Sequence, residues 1–324
     1  MKALSLFMPA LLVALTACQP QQTQQQQPTQ TQQPTQPNVS ANAPHQAVKV
    51  VTPDWAIAST LTAMGYPPLA VGDVKTYPEW VGKPELPSQV IDLGERFAPN
   101  PERLAQLKPD VIIDNDFYAH LRPLYGDTPH TAISFVPKGE VATWQDYAKP
   151  TQQLGDVIHQ PQQAEQFLTQ SKQRLGELGK AFKQKHPNIK NIAIVQFADA
   201  NNLRIYTNNS LFKPTFDIMG LNLITLENQL GKGNLWGFLP ITLGDLAKLD
   251  NSQQDTCIAV VEPFSPMLRQ QLTDNLLWQR LGYGRTQCMT VLPPIWLYGG
   301  VSSMLTFGER LNKAEFQGGI ANVK

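Results

Sequence analysis

Residues 161–187 read PQQAEQFLTQSKQRLGELGKAFKQKHP, which predicts one long helix near the middle of the chain. Proline suits the first turn of a helix, where its missing N–H needs no partner, and it cannot continue a helix, so Pro161 and Pro187 predict the two ends. At 1.5 Å per residue such a helix is roughly 35 to 40 Å long, which is long enough to join two lobes. Between the prolines, apolar side chains recur at helical spacing on a polar background: Phe167, Leu168, Leu175, Leu178 and Phe182.

Short apolar runs occur on both sides of this helix. They lack alternating polar residues, as expected for strands that are covered on both faces of a sheet. Helical stretches at 57–64 and 102–107 separate them in the first half of the chain, which predicts an α/β fold. The predicted strands are residues 48–52, 111–114, 192–197 and 257–261.

The length of the chain indicates two lobes. Residues 46–324 are too many for one ordinary hydrophobic core. We therefore expect an N-terminal lobe over residues 46–160 and a C-terminal lobe over residues 188–324. The long helix at 161–187 would connect them rigidly.

The first 17 residues are typical of a secretory signal, with one positive charge at Lys2 and a short apolar stretch that ends in small residues. A membrane-spanning helix needs about 20 apolar residues, so this stretch is too short to remain as an anchor. Leu15-Thr16-Ala17-Cys18 resembles the bacterial lipobox. That resemblance implies that Cys18 receives a diacylglycerol and becomes the first residue of a membrane-anchored, exported protein.

The segment from Cys18 to residue 45 predicts a disordered linker. From Gln19 to Pro37 it contains Gln, Pro and Thr alone, with too little apolar surface to offset the entropy of ordering. As a flexible coil it would span roughly 30 Å. We expect the folded domain to hang from a bilayer on this tether and to face the periplasm or the cell exterior.

Charge and motifs exclude several functions. The 26 basic and 26 acidic side chains cancel, so the chain lacks the positive surface that nucleic-acid binding requires. The motifs of serine hydrolases, zinc proteases and phosphate-binding loops are absent from the sequence. The five histidines show no spacing typical of metal ligands. We therefore expect neither an enzyme nor a protein with its own metal ion or cofactor.

Two cysteines besides Cys18 lie in the predicted C-terminal lobe. In an oxidising compartment, Cys257 and Cys288 would form one disulfide. Both also lie in strand-like apolar runs, so two buried free thiols are the alternative.

Aromatic residues cluster at predicted strand ends and loops. Ligands of open α/β sheets bind beyond the carboxyl ends of the strands, so these rings could converge on one crevice. Packing in the core or between the lobes is the alternative. The residues are Trp55, Trp80, Tyr118, Trp236, Trp296 and Tyr298.

Several motifs, taken in order, resemble the iron-siderophore and vitamin B12 substrate-binding proteins of ABC importers, most closely the ferric-hydroxamate binding proteins. They are LGERFAPN, PNPERLAQLKPDVII, NSLFKPTFDIMG, NLWGF and PPIWLYGG. The resemblance covers nearly all of residues 48–314. It implies the helical-backbone (class III) periplasmic-binding fold: two Rossmann-like α/β lobes, one long connecting helix, a shallow cleft and little hinge closure.

The resemblance also implies a set of ligand contacts. Arg96 in LGERFAPN corresponds to the arginine that hydrogen-bonds the hydroxamate oxygens around iron, and Tyr118 to the tyrosine that joins it. Where the hydroxamate binders carry a serine two residues after the tryptophan of NLWGF, this chain has Phe238. A surface ion pair with a neighbouring glutamate is the alternative role for Arg96. The aromatic positions are Trp236, Trp296 and Tyr298 in the second lobe and Trp55 and Trp80 in the first.

The chemistry of a ferric trihydroxamate agrees with this selection. Such a chelate is compact and neutral, so stacking rings and one or two donors complement it. A ferric catecholate is strongly anionic and would need several convergent cations, whereas Arg96 alone is placed in the cleft from the sequence. Cobalamin and haem remain alternative ligands, and an enzymatic or structural lipoprotein remains an alternative class.

The resemblance further implies partners. The expected protein is a monomer that delivers a ferric siderophore to an ABC permease with its ATPase, and that binds iron only through the siderophore. In this family an acidic residue on each lobe meets arginines of the permease. Asp245 is the candidate on the second lobe.

Overall fold

The computed structural model describes residues 47–250, 256–281 and 288–318. The expected signal at 1–17, the lipidated Cys18 and the linker to residue 45 lie outside these residues. The described residues belong to one compact unit. We refer to the part before the long helix as the first lobe and to the part after it as the second lobe.

The first lobe contains a five-stranded sheet in which every pair of neighbouring strands is parallel. The strand order is β3-β2-β1-β4-β5. The strands are β1 (Val50–Thr52), β2 (Ala70–Val71), β3 (Ile91–Asp92), β4 (Val111–Asp114) and β5 (His130–Ala132). The helices are α1 (Trp55–Ala63), α2 (Tyr77–Trp80), α3 (Pro101–Leu107) and α4 (Gln145–Val157), with a 3₁₀ helix over Asp116–Tyr125. The connecting helix α5 (Pro161–Lys185) follows.

Local signals in the sequence explain where these helices begin. Asp54 caps α1, because its carboxylate accepts the backbone N–H of Ile57 at 3.0 Å. Asn100 caps α3 in the same way through the N–H of Arg103 at 2.9 Å. Asp54 follows β1, and Asn100 lies in the loop after β3, so each helix starts close to the carboxyl edge of the sheet.

The second lobe contains a seven-stranded mixed sheet. Its main path is β12-β11-β10-β6-β7-β9, and β8 pairs with β6. The strands are β6 (Asn191–Phe197), β7 (Asn202–Tyr206), β8 (Asn222–Leu223), β9 (Phe238–Thr242), β10 (Thr256–Val261), β11 (Cys288–Leu292) and β12 (Gln317–Gly318). The helices are α6 (Phe212–Met219), α7 (Glu227–Leu230), α8 (Ala247–Asp250), α9 (Pro266–Asp274), α10 (Leu276–Arg280) and α11 (Val301–Lys313), with a 3₁₀ helix over Leu243–Leu246.

The second sheet is less uniform than two Rossmann-like lobes would suggest. Strands β6 and β7 are antiparallel, and so are β7 and β9. The reason lies in the loop between β6 and β7, which is too short for a crossover helix and permits only a hairpin. Asp199 fixes this turn by accepting the N–H groups of Asn201 and Asn202 at 2.8 and 2.9 Å.

Helix α5 packs against both lobes, as the sequence predicts. It contacts α4 of the first lobe and α6 and α11 of the second. Small residues allow these close approaches: a Cβ atom on Gly179 would lie 2.2 Å from the carbonyl oxygen of Met219 in α6. The buried side of α5 contains the predicted Leu168, Leu175, Leu178 and Phe182, and Phe167 is partly buried beside them.

Cys257 and Cys288 form a disulfide, so of the two alternatives that the sequence leaves open the structure has the bonded one. The two residues lie opposite each other on the parallel strands β10 and β11, where their Cα atoms are 4.6 Å apart. The bond therefore links the amino-terminal ends of β10 and β11, where β11 also pairs with β12.

The strand order of the first sheet determines where a site can form. From β1 the chain builds β2 and β3 on one side and then crosses to β4 and β5 on the other, so the strand order reverses between β1 and β4. The carboxyl edge at such a switch point is where open α/β sheets bind ligands.

Among the described residues, no helix combines the length and the apolar character needed to cross a bilayer.

Candidate ligand-binding site

A cavity of about 340 Å³ lies between the two lobes, within the size range of small-molecule sites. Its lining is rich in aromatic rings and has few polar groups. From the first lobe it is lined by Asp54, Ala56, Arg96, Phe97, Asn115, Phe117, Tyr118, Phe135 and Val136; from the second by Arg204, Trp236, Phe238, Trp296 and Tyr298.

The first-lobe wall consists of loops that follow the carboxyl ends of strands. Asp54 follows β1, Arg96 follows β3, and Phe135 follows β5. Asn115 and Tyr118 come directly after β4. Because parallel strands end at the same edge of the sheet, residues far apart in sequence meet here.

Arg96 lies at the base of this wall between aromatic rings. Its guanidinium carbon is 4.0 Å from the ring centroid of Trp55, and 5.1 Å from that of Trp296. Its side chain is 18% exposed, and its Nε atom is 3.8 Å from a carboxylate oxygen of Asp73. The ion pair is thus with Asp73, and not with Glu95 or Glu102, which the sequence offers as alternatives. The stacked rings hold the guanidinium group in place while part of it stays accessible.

Tyr118 lies beside Arg96 and is buried. Its ring stacks on Phe97, with the centroids 5.4 Å apart. Burial raises the pKa of the Tyr118 hydroxyl far above its ordinary value, and the negative charge of Asp54 acts in the same direction. The hydroxyl group therefore stays protonated at neutral pH and is available as a hydrogen-bond donor.

Asp54 and Asn115 add a polar pair to the same wall. The Asn115 side chain donates to Asp54 Oδ2 at 2.6 Å. Burial raises the pKa of Asp54, although hydrogen bonds from Ile57 and Ala56 and the charge of Arg96 oppose the shift. Asp54 thus combines the cap of α1 with a position in the cavity wall.

The second-lobe wall is a row of rings that continues into the first lobe. The ring centroid of Tyr298 lies 5.3 Å from that of Trp296 and 5.5 Å from that of Trp236. Trp236 in turn lies 5.3 Å from Phe117, and Trp296 lies 5.0 Å from Trp55. All four contacts are edge-to-face, a favourable arrangement for aromatic pairs. The two lobes therefore meet through rings on both sides of the cavity.

Arg204 contributes a second cation, from strand β7. Its Nη1 atom donates to Tyr298 Oη and to Gln196 Oε1, each at 3.3 Å. Its guanidinium carbon lies 4.8 Å from the ring centroid of Phe238. Strands β7 and β9 pair Arg204 with Pro240 and Tyr206 with Phe238, so Arg204 and Phe238 are diagonal neighbours on one face.

The structure brings five of the seven predicted ligand contacts to the cavity: Arg96, Tyr118, Trp236, Trp296 and Tyr298. Trp55 does not line it, because Trp55 is 2% exposed and lies behind Arg96. Its Nε1 donates to the carbonyl oxygen of Gly72 at 2.8 Å. Trp80 is 38% exposed and borders a neighbouring depression instead. Phe238 does line the cavity, at the position where the resemblance leads one to expect serine.

Sequence reasoning missed several lining residues. Phe97 and Phe117 each adjoin a predicted residue, and both remain largely exposed, at 42% and 53%. The position of these aromatic residues next to Arg96 and Tyr118 in the sequence is the signal that could have found them. Arg204 was harder to find, because its segment NLRIY mixes polar and apolar residues and does not resemble a buried strand.

Asp245 lies outside this cavity, at the start of a 3₁₀ helix. Its carboxylate accepts the backbone N–H and the hydroxyl of Thr242, both at 2.8 Å, and it forms an ion pair with Lys248. Lys248 holds the pKa of Asp245 below its ordinary value. Asp245 thus has a local structural role, whatever else it contacts.

Within the part of the chain that the structure describes, no three His, Cys, Asp or Glu side chains come together as a metal ion would require. The polar groups of the cavity are donors and one buried acid, which suit an organic ligand with outward-facing oxygens. The arrangement can hold such a ligand between rings and orient it with two cations.

A two-lobed α/β fold with an aromatic cavity at the strand ends is typical of a small-molecule binding protein. The chain matches the periplasmic binding protein family over residues 50–293 and belongs to that family. It is therefore a binding protein and not an enzyme.

Similar proteins are known from sequence and structure. Over 273 residues the chain is 24% identical to the iron(3+)-hydroxamate-binding protein FhuD of Escherichia coli K12, covering 82% of this chain and 86% of that protein. The structure of FhuD from Vibrio cholerae with Fe³⁺-Desferal has a TM-score of 0.70 and 24% identity, covering 86% of this chain and 100% of that one. FhuD2 from Staphylococcus aureus with ferrioxamine B has a TM-score of 0.62 and 14% identity, covering 82% and 96%. These likenesses establish the fold.

Proposed function

We propose that this protein captures a ferric siderophore of the hydroxamate type and delivers it to an ABC importer. Iron would be bound only through the siderophore, without a protein ligand to the metal. The observation that carries the proposal is the cavity between the lobes, where aromatic walls surround the guanidinium group of Arg96 and the hydroxyl of Tyr118.

The chemistry of the cavity supports a hydroxamate chelate. Such a chelate presents oxygens around iron on one side and methylene groups on the other. Arg96 and Tyr118 are adjacent donors for the oxygens. Trp236, Trp296 and Tyr298 offer ring faces and edges for the methylene groups.

The related proteins point the same way. The Escherichia coli relative is named for binding iron(3+)-hydroxamate, and the Vibrio cholerae and Staphylococcus aureus structures hold ferrioxamine-type ligands. Their identity to this chain is low, so the ligand class of this chain is inferred chiefly from its own cavity.

The amino-terminal segments support a setting for this function. We propose that residues 1–17 direct export, that Cys18 carries a lipid anchor, and that residues 18–45 tether the domain to a membrane on the periplasmic or outer side. A tether raises the concentration of the binding protein near its permease without a tight docking surface. The partners would be the permease with its ATPase, and the protein would act as a monomer.

Intrinsic fluorescence provides a direct test, because Trp236 and Trp296 line the cavity. The purified protein is titrated with a ferric trihydroxamate, its iron-free form, a ferric catecholate, haemin and cobalamin. We expect saturable quenching by the ferric hydroxamate and much weaker binding of its iron-free form. Tighter binding of the catecholate, haemin or cobalamin would contradict the proposal.

A further inference from the structure

The charges around the cavity are not distributed evenly between the lobes. On the first-lobe side, Arg96 has Asp73 at 3.8 Å, and Asp54 also faces the cavity. On the second-lobe side, Arg204 lines the cavity, and among the described residues no carboxylate lies within ion-pair distance of it. The second-lobe wall therefore carries a positive charge without an ion-pair partner among the described residues, although Asp245 and Asp199 line the neighbouring depressions that Arg204 also borders.

The guanidinium group of Arg204 also has hydrogen-bonding capacity left. Both of its bonds, to Gln196 and to Tyr298, start from Nη1. Within the described residues, its Nε and Nη2 atoms have no acceptor in hydrogen-bonding geometry. This second edge of the guanidinium group is the one that commonly forms paired bonds with a carboxylate.

Arg204 is held in position by groups that leave its charge intact. Phe238 lies 4.8 Å below the guanidinium carbon, and the partners of Nη1 are a neutral amide and a tyrosine hydroxyl. Burial raises the pKa of Tyr298, so this hydroxyl stays neutral at physiological pH. A cation fixed by neutral groups in a partly buried wall attracts an anion more strongly than a solvated surface arginine does.

We infer that the cavity selects a ferric hydroxamate that carries an anionic substituent, and that Arg204 is the residue that recognises this group. The inference rests on the proposed function and narrows it to a ligand class: a trihydroxamate iron chelate with a free carboxylate or an equivalent anionic group near the second-lobe wall. Phe238, which departs from the serine expected by resemblance, serves as the platform for Arg204.

Three matched probes test this inference. Ferrioxamine B carries a pendant amine and is a cation, its N-acetyl derivative is neutral, and its N-succinyl derivative is an anion, while the iron chelate is the same in all three. We expect the wild-type protein to bind the succinyl derivative about ten- to a hundredfold more tightly than the acetyl derivative, since hydrogen bonds to charged groups have that effect. Ferrioxamine B should bind most weakly.

Variants at Arg204 show whether this residue recognises the anionic group or has only a structural role. In Arg204→Gln the preference for the succinyl derivative should fall about tenfold or more, with a much smaller change for the acetyl derivative. Arg204→Lys should keep only part of the preference, because lysine keeps the charge but lacks the paired donors of the guanidinium group. Arg174→Gln is the matched control, since Arg174 lies on the exposed face of α5 with its side chain 52% exposed.

The outcomes distinguish this inference from the proposed function. Equal binding of all three probes by the wild-type protein, or an unchanged preference in Arg204→Gln, overturns the inference alone. So does an equal loss for all probes in Arg204→Gln, which would make Arg204 a structural residue. Failure of the folded wild-type protein to bind any of the probes overturns both proposals.

The salt dependence of the binding preference is a second test, and it needs no variant. The preference of the wild-type protein for the succinyl over the acetyl derivative should shrink as salt rises, because ions screen the attraction. A preference that does not change with salt would count against a charge-based contact.

Discussion

The guanidinium carbon of Arg96 lies 4.0 Å from the ring centroid of Trp55, so the cation stacks on a ring that is itself buried. Trp55 is fixed in turn by the hydrogen bond from its Nε1 to the carbonyl oxygen of Gly72. Arg96, the donor that we propose for the ligand, is therefore positioned by the core of the first lobe, before any ligand arrives. This arrangement lowers the entropy that ligand binding must overcome.

Replacing Arg96 tests its role as a donor. Arg96→Ala should weaken binding of a ferric trihydroxamate by about 1.5 to 3 kcal/mol, or roughly ten- to 150-fold, because a charge-assisted hydrogen bond is lost. Arg96→Lys should recover only part of this, since lysine lacks the planar fork. Fluorescence titration measures both. Arg174→Ala on the exposed face of α5 is the control, and an affinity in Arg96→Ala that equals the control would refute the assignment.

Replacing Trp55 and Trp80 compares what each tryptophan contributes to the free energy of unfolding. Trp55→Phe removes the Nε1–H group and leaves the buried carbonyl oxygen of Gly72 unpaired, so the free energy of unfolding should fall by about 1 to 3 kcal/mol. Trp80→Phe should change it by less than about 0.5 kcal/mol, because Trp80 is 38% exposed whereas Trp55 is 2% exposed. Urea unfolding of both variants provides the measurement. Equal effects on stability would contradict the difference in burial.

Several features of the fold follow from local sequence. Prolines at both ends and an apolar stripe predict α5, and the structure has a helix over Pro161–Lys185. The apolar run at 111–114 is β4. Strands β7 and β9 were not predicted, because NLRIY and FLPIT mix polar and apolar residues and do not resemble buried strands. Their assignment depends on pairing, of β7 with β6 and of β9 with β7, and the pairing of β9 is a tertiary contact.

Part of the site could also be predicted from local sequence. The rule that ligands bind at strand ends predicts one crevice for Tyr118 and Trp296, and both line the cavity, but the rule does not say which way each side chain turns. Trp55 opens α1 and turns beneath Arg96, whereas Asp54 just before it faces the cavity. Arg204 was missed because its strand was missed. Its partners Tyr298 and Gln196 lie on other segments of the chain.

Asp54 should make stability depend on pH. The folded-state pKa of Asp54 is raised above the ordinary value of 3.8, mainly by burial, so the folded protein binds this proton more tightly than the unfolded chain does. The stabilising contribution of the protonated group is complete below about pH 3.8 and is lost as pH rises through the folded-state pKa. The stability of the wild type relative to Asp54→Asn should therefore fall as the pH is raised.

Urea unfolding at pH values from about 2.5 to about 8 measures this difference. Asp245→Asn is the control with the opposite sign, because Lys248 lowers the pKa of Asp245. The contribution of Asp245 is present above about pH 3.8 and is lost as pH falls through its folded-state value. If the difference between wild type and Asp54→Asn does not change with pH, the carboxyl group is not desolvated as the structure implies.

Removing the disulfide should lower stability without changing ligand affinity. Cys257 and Cys288 are 31 residues apart. A bond that closes a loop of that length lowers the entropy of the unfolded chain and so stabilises the folded state by about 3 to 4 kcal/mol in the chain-entropy description. The bond joins β10 and β11, and neither cysteine lines the cavity. Paired Cys257→Ala and Cys288→Ala substitutions are followed by urea unfolding and by fluorescence titration. A large loss of affinity in the folded double variant would contradict this separation.

Phe238 and Arg204 should be energetically coupled, because one is the platform of the other. The distance of 4.8 Å from the guanidinium carbon to the Phe238 ring is within the range of cation–π attraction, which contributes about 0.5 to 2 kcal/mol. Phe238→Leu keeps an apolar side chain but removes the ring, so Arg204 loses its support. Binding of the anionic N-succinyl ferrioxamine B should weaken about two- to thirtyfold, with a smaller effect on the neutral N-acetyl derivative.

A double-mutant cycle separates this coupling from simple loss of contact area. If Phe238 acts through Arg204, then Phe238→Leu should have little further effect in the Arg204→Gln background, because the residue it supports is already gone. If Phe238 contacts the ligand independently, the two losses should add. Additive losses would show that the departure from serine at this position shapes the wall directly, and would leave Arg204 positioned chiefly by Tyr298 and Gln196.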